Sequence, residues 1–130
     1  MKTSRIQIVT VLLALALIVG GGCYYDNVIF PEGPGITGDV FFAPDIVPIF
    51  TNNCSSSGCH VSGGQRPDLS ASNAYTSLIN GNYINTSSPK ESEIYQWMKG
   101  LETIPMPPSG SKPTETAIVL AWIEQGAQNN

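Results

Sequence analysis

Cys54-Ser55-Ser56-Ser57-Gly58-Cys59-His60 brings two thiols and the chain's single histidine within seven positions. One histidine excludes any chemistry that needs two imidazoles in one chain. In the Cys-x-x-Cys-His pattern of covalent haem attachment, two thiols add across the haem vinyl groups and the adjacent imidazole reaches the iron. Here the spacer is four small residues including a glycine. Such a spacer can bulge outward and leave the two sulfurs at the usual separation, and the Cys59-His60 adjacency is intact. The same cysteines can instead close a small loop as a Cys54–Cys59 disulfide. From the cluster alone, both readings stand.

Other chemistries fail on counting. A structural zinc site needs four nitrogen or sulfur ligands, and the cluster offers three. Blue copper needs two histidines, and a thioredoxin-like pair needs a two-residue spacer. A Ser/His/Asp hydrolase would need its histidine away from two cysteines. Glu91 and Glu93 do not form an acid/base pair, because i and i+2 do not share a helix face.

A His-ligated haem iron in an electron carrier commonly takes a methionine on its other face. Met106-Pro107 follows His60 by 46 residues, on a loop bounded by Pro105 and Pro108. Met98 is the competing sulfur, but it sits beside Trp97 in a helical stretch and reads as core.

Short helices must position these residues. Asp45 to Asn53 carries Ile46, Ile49 and Phe50 at i, i+3, i+4 spacing, with Pro44 at its first position and Pro48 in its first turn. Ser72 to Leu78 groups Ala74, Tyr75 and Leu78. Pro89 to Lys99 turns Ile94, Tyr95, Trp97 and Met98 inward and ends at Gly100; Ser88 with Glu91 three residues on forms a capping box. Pro113 to Gln125 is the clearest helix, with Ile118, Val119, Trp122 and Ile123 on one stripe and Gly126 after it. Nothing alternates at period 2. The class is all-α: about three to four short helices with long loops.

At 130 residues, with 42% apolar and 12% charged residues, the chain has room for one small domain. It opens with Lys2 and Arg5, then an apolar run from Ile6 to Val19 broken by Gln7 and Thr10. About 14 residues fall short of the roughly 20 that span a bilayer. The pattern is that of a secretory leader. Gly20, Gly21 and Gly22 lead into Cys23, which resembles a bacterial lipoprotein signal whose cysteine is acylated and becomes the new N-terminus. That family prefers Leu where this chain has Gly20. Ordinary cleavage after Gly22, or an uncleaved anchor, are the alternatives. The expected division is a signal peptide over 1–22, a flexible tether over 23–38 and a domain over 39–130. A chain starting at Cys23 keeps four bases against ten acids, a formal charge of −6, so no nucleic-acid partner is expected.

The order helix, haem motif, loops, Met-Pro, closing helix resembles the class I cytochromes c, whose closing helix carries an aromatic, here Trp122, that packs near the first helix. More closely, the chain resembles the short haem domains of exported bacterial lipoproteins found in Bacteroidetes and planctomycetes. The likeness rests on Phe41, Asp45-Ile46-Val47-Pro48-Ile49-Phe50, Asn53-Cys54 and Gly58-Cys59-His60. It continues through Asp68-Leu69-Ser70, Tyr75 to Leu78, Pro89 to Tyr95, Met106-Pro107-Pro108 and Trp122 to Ala127. It covers about Val40 to Ala127. Arg66-Pro67 departs from it, standing where the family has Gly and an apolar residue.

The resemblance implies a small cytochrome c fold wrapped around one covalent haem c. Cys54 and Cys59 would be the thioether residues, His60 the proximal iron ligand, Met106 the distal one and Cys23 the lipidated residue. By the same token the Pro67 carbonyl would accept the His60 Nδ1–H, and Arg66 would reach a haem propionate or solvent. Tyr75, Tyr83, Tyr95, Trp97 and Trp122 would line the haem or the core around it. The expected role is single-electron transfer to redox partner proteins or neighbouring haem domains. The domain would be held by a lipid anchor at the periplasmic or cell-surface face of a membrane. The alternatives are a small haem peroxidase with an open distal position, and a non-haem lipoprotein domain with the Cys54–Cys59 disulfide.

Overall fold

The computed structural model describes residues 31–130, apart from the side chain of Ser57. The leader, Cys23 and the first part of the expected tether lie outside the described residues. Four α-helices follow in order: α1 (Val47–Asn53), α2 (Ala74–Asn80), α3 (Glu93–Lys99) and α4 (Pro113–Glu124). Among the described residues there is no β-strand, and no helix is long and apolar enough to cross a membrane.

The first helix starts earlier than its apolar spacing predicts. A π-helical turn, Phe42–Ile46, runs directly into α1. Asp45 explains the early start: its carboxylate accepts the Phe41 N–H at 2.8 Å. The C-terminal residue holds the same turn, Asn130 accepting the N–H groups of Phe42 and Ala43, both at 2.8 Å. Ile46, Ile49 and Phe50 are all buried, as their spacing requires.

Helix α4 has Pro113 in its first turn, where a missing N–H costs little. It buries Val119, Trp122 and Ile123 against α3 and the turn at Phe42. Trp122 meets Phe42 at 5.2 Å between ring centroids, and Tyr75 of α2 closes the group edge-on to Phe42 at 5.3 Å. This aromatic triad ties three separate segments together. The Trp122 indole N–H, which needs a partner once buried, donates to the Gln128 carbonyl at 2.9 Å.

Two local expectations are corrected. The stretch from Pro89 is not one helix: Pro89–Glu91 is a 3-10 turn, and α3 begins only at Glu93 because Ser92 is extended (φ −62°, ψ 129°). The Ser88 side chain makes no capping bond, so the capping box does not form. The buried Ser92 hydroxyl instead accepts the Asn85 N–H at 2.9 Å, binding the preceding loop to the helix start.

The second correction concerns 31–38, read from its prolines and glycines as tether. This segment lies against α3 and α4. Lys99, buried at the end of α3, donates to the Pro31 carbonyl at 3.1 Å and pairs with Glu32 at 2.8 Å. Its ammonium lowers the Glu32 carboxyl from the ordinary carboxylate range, by hydrogen bond first and charge second. Gly33 sits so close to α4 that a Cβ there would collide with the Pro113 carbonyl. Ile36 packs on the core.

Candidate functional site

Residues 54–69 form a loop folded back on itself. The four residues between the cysteines bulge outward, with a 3-10 turn over Ser56–Gly58, and His60 N–H returns to the Cys54 carbonyl at 3.2 Å. Gly58 takes φ +77°, a conformation that glycine adopts without the steric penalty of a side chain. The chain then turns at Gly64, which lies against three carbonyls; a Cβ there would come within 2.5 Å of the Cys59 oxygen.

The imidazole is oriented by one contact. His60 Nδ1 lies 2.9 Å from the Pro67 carbonyl oxygen. A carbonyl only accepts, so Nδ1 carries the proton. In the neutral ring the lone pair then belongs to Nε2, which makes no hydrogen bond among the described residues. Fixing the tautomer in this way is how proteins prepare a histidine as a metal ligand. Leu69 N–H donates to the His60 carbonyl at 2.8 Å, so backbone and ring are both attached to the Pro67–Leu69 segment. The Arg66–Pro67 and Met106–Pro107 peptide bonds are both cis.

Two adjoining cavities, of about 280 and 310 Å³, meet at Cys54, His60, Gln65 and Met106. Together they fall within the roughly 300–1,000 Å³ typical of cofactor sites. The first is walled by Pro67, Leu69, Ile94, Trp97 and Met98, with Tyr83, Arg66 and Glu93 on its rim. The second opens past Cys59 towards Pro107, Pro108 and Ser109. A larger concavity, of about 740 Å³, lies across the 61–68 loop, but its lining is mostly polar and holds neither cysteine nor histidine.

The two thiols differ. Cys59 is exposed and Cys54 half-buried, and both are free. Burial pushes the Cys54 thiol up to about 11, so it stays protonated at neutral pH. Among the described residues no group of three or more His, Cys, Asp or Glu side chains converges as metal ligands.

Cys54, Cys59, His60 and Met106 are therefore brought to one place, with the Pro67 carbonyl on Nδ1. Met98 lines the same first cavity but is 3% exposed and built into α3, whereas Met106 is half-buried on a loop and lines both cavities. Tyr83 and Trp97 reach the cavities; Tyr75, Tyr95 and Trp122 do not. Cys23 lies outside the described residues.

Sequence reasoning missed Gln65, which lines both cavities, and it left Asp68 without a job. A lone glutamine in a Ser/Gly-rich loop carries no period or motif to flag it. Asp68 stood within the Asp68-Leu69-Ser70 likeness, but its role appears only when the loop closes. Its carboxylate accepts from Ser70 Oγ at 2.6 Å, Ser62 Oγ at 2.7 Å, Asn73 Nδ2 at 2.9 Å and Ser70 N–H at 3.0 Å.

The donor set fits an iron porphyrin. One imidazole offers Nε2, the Met106 thioether lines both cavities and Met98 the first, the two thiols line the second, and most of the first cavity's wall is apolar. No family model, curated protein or solved structure matches the chain.

Proposed function

We propose that this chain is an exported, lipid-anchored monohaem c-type cytochrome that transfers single electrons. The observation that carries the reading is the His60 ring, with Nδ1–H bonded to the Pro67 carbonyl and Nε2 uncommitted in a cavity shared with Cys54 and Met106. Bound haem would supply a one-electron ferric/ferrous couple. Cys54 and Cys59 would hold it, each S–H adding across a vinyl C=C without any oxidant. His60 Nε2 and the Met106 thioether would ligate the iron. Leu69, Ile94, Trp97 and Met98 would keep water from one side, and Arg66 on the rim would be in reach of a propionate. The exposed Cys59 edge is the side open to a redox partner. The leader and Cys23 support export and the anchor.

The test is expression of the full chain with a haem-attachment system. Haem should stay on the denatured chain in an acid gel, and Cys54→Ser should shift the pyridine haemochrome band to that of a single thioether. Haem extracted by acidified solvent would sink covalent attachment. A colourless protein with a Cys54–Cys59 disulfide would return the non-haem reading. Rapid peroxide turnover by the wild type would favour a peroxidase. Cys23→Ser should release the domain from membranes with its spectrum unchanged.

A further inference from the structure

The contact that orients His60 is held in place from its far side. The Pro67 carbonyl and the Asp68 N–H belong to one planar peptide unit. Its oxygen accepts from His60 Nδ1 at 2.9 Å, and its N–H donates to Ser77 Oγ, on α2, at 2.8 Å. The plane is thus tied at both edges, to the imidazole on one side and to a helix on the other. Next to it, the Asp68 carboxylate gathers Ser62, two residues past His60, Ser70, and Asn73 at the start of α2. Asn73 Nδ2 also donates to Ser62 Oγ at 3.0 Å. None of these residues lines the cavities that hold His60 and Met106. Their hydrogen bonds run to the loop that carries the acceptor of the Nδ1 proton.

We infer that Ser77 and Asp68 are positioning residues for the iron ligand, fixing the Pro67–Asp68 peptide so that its carbonyl takes the His60 Nδ1 proton and sets the donor strength of Nε2. The inference rests on the haem reading above and goes beyond it, since it names how this chain tunes its couple. A firm Nδ1–H bond makes the imidazole a better donor. A better donor favours ferric iron and lowers the potential. A loosened carbonyl therefore raises it.

The experiment uses the haem-loaded protein, with Ser77→Ala, Ser77→Thr, Asp68→Asn and, as a purely structural comparison, Val119→Ala. Val119 is fully buried in α4 and lines neither cavity. Two quantities are read: the potential by spectroelectrochemical titration, and exchange of the His60 Nδ1 proton in the reduced protein by NMR. Ser77→Ala should shift the ferrous/ferric ratio about threefold, or about 28 mV upward at about 59 mV per tenfold for one electron. It should also speed Nδ1 proton exchange at least about tenfold. Ser77→Thr, which keeps the hydroxyl, should restore both. Asp68→Asn should move both in the same direction by less, and it decides the matter if Ser77→Ala does not fold. Val119→Ala should lower the melting midpoint and move neither. Potential and exchange left at wild-type values in Ser77→Ala and Asp68→Asn would overturn the inference while leaving the haem reading intact. A wild type without covalent haem would overturn both.

Discussion

On the α1/α4 side, Phe42, Tyr75 and Trp122 interlock and Phe50, Val119 and Ile123 are fully buried around them. On the His60/Met106 side, two loops face each other across cavities of about 280 and 310 Å³. The first side is held by burial of apolar area, at about 25 cal/mol per Å². The second is held by hydrogen bonds from His60 to Pro67 and among Ser62, Asp68, Ser70, Asn73 and Ser77, each worth only about 0.5–1.5 kcal/mol net. Helices fill their own interior here. The loops shape a space whose walls would gain further packing partners from the haem proposed above.

The sharpest way to break this comparison is to deny the loops the proposed haem. A domain of about this size is marginal, with a total stability of about 0.05–0.15 kcal/mol per residue. A group bound only by the native state adds to that by mass action. Chain produced without haem attachment is expected to lose its cooperative melting transition, followed by circular dichroism. A sharp apo transition would show the helical side to be self-sufficient. Next in size is Trp122→Ala, which removes the largest member of the triad and should cost about 3–5 kcal/mol. In holoprotein it should leave the oxidised spectrum unchanged, since Trp122 reaches neither cavity; a spectral change would mean that the two sides are coupled.

The same division governs how much could be read beforehand. Ile46, Ile49 and Phe50, and Val119, Trp122 and Ile123, announce their helices because burial on one face imposes a period of three to four. Cys54, Cys59, His60 and Met106 announce themselves by chemistry, and the structure brings them together. What stayed hidden needs closure in three dimensions. The Asp68 cluster joins residues 62, 68, 70, 73 and 77, which share no period. The strap over 31–38 is fixed by Lys99, a residue more than sixty positions away, and by the close approach of Gly33 to α4. The Ser88–Glu91 capping box failed because only a 3-10 turn follows Ser88, the helix starting at Glu93 after the extended Ser92.

The two methionines sharpen the comparison, because one belongs to each side while both touch the first cavity. Met98 is 3% exposed in α3. Met98→Ala should cost about 2–5 kcal/mol through lost packing and preserve the red-edge band of sulfur-ligated ferric haem. Met106→Ala should abolish that band, lower the potential and open a position to carbon monoxide. Its stability cost should be smaller, because Met106 is only half-buried on its loop. The reverse pattern would assign the ligand to Met98, and no band in either would leave the sixth position open.

The smallest expected effect is an acid response confined to the loop side. Ser70, Ser62 and Asn73 all donate to the Asp68 carboxylate, and the Ser70 hydroxyl is the largest single influence. Donors favour the anion, so the folded-state pKa lies below the ordinary 3.8 of the unfolded chain. Between the two values the unfolded chain binds the proton and the folded one does not, so stability rises with pH there. The contribution is complete above about 3.8 and is lost as pH falls from 3.8 through the folded value. Its neighbours Ser62, Ser70 and Asn73 are uncharged, so no partner titrates with it. The reporter is the Leu69 N–H, which donates to the His60 carbonyl. Its hydrogen exchange should quicken below pH 3.8 relative to amides buried in α4, beyond the ordinary pH dependence of exchange. In Asp68→Asn this extra acid limb should be absent, and in Ser70→Ala it should move up towards 3.8. An Asp68 carboxyl that titrates at 3.8 or above by NMR would dissolve the cluster as a device. The loop would then owe its shape to its other contacts, the Asp68 N–H to Ser77 and the Leu69 N–H to His60 among them.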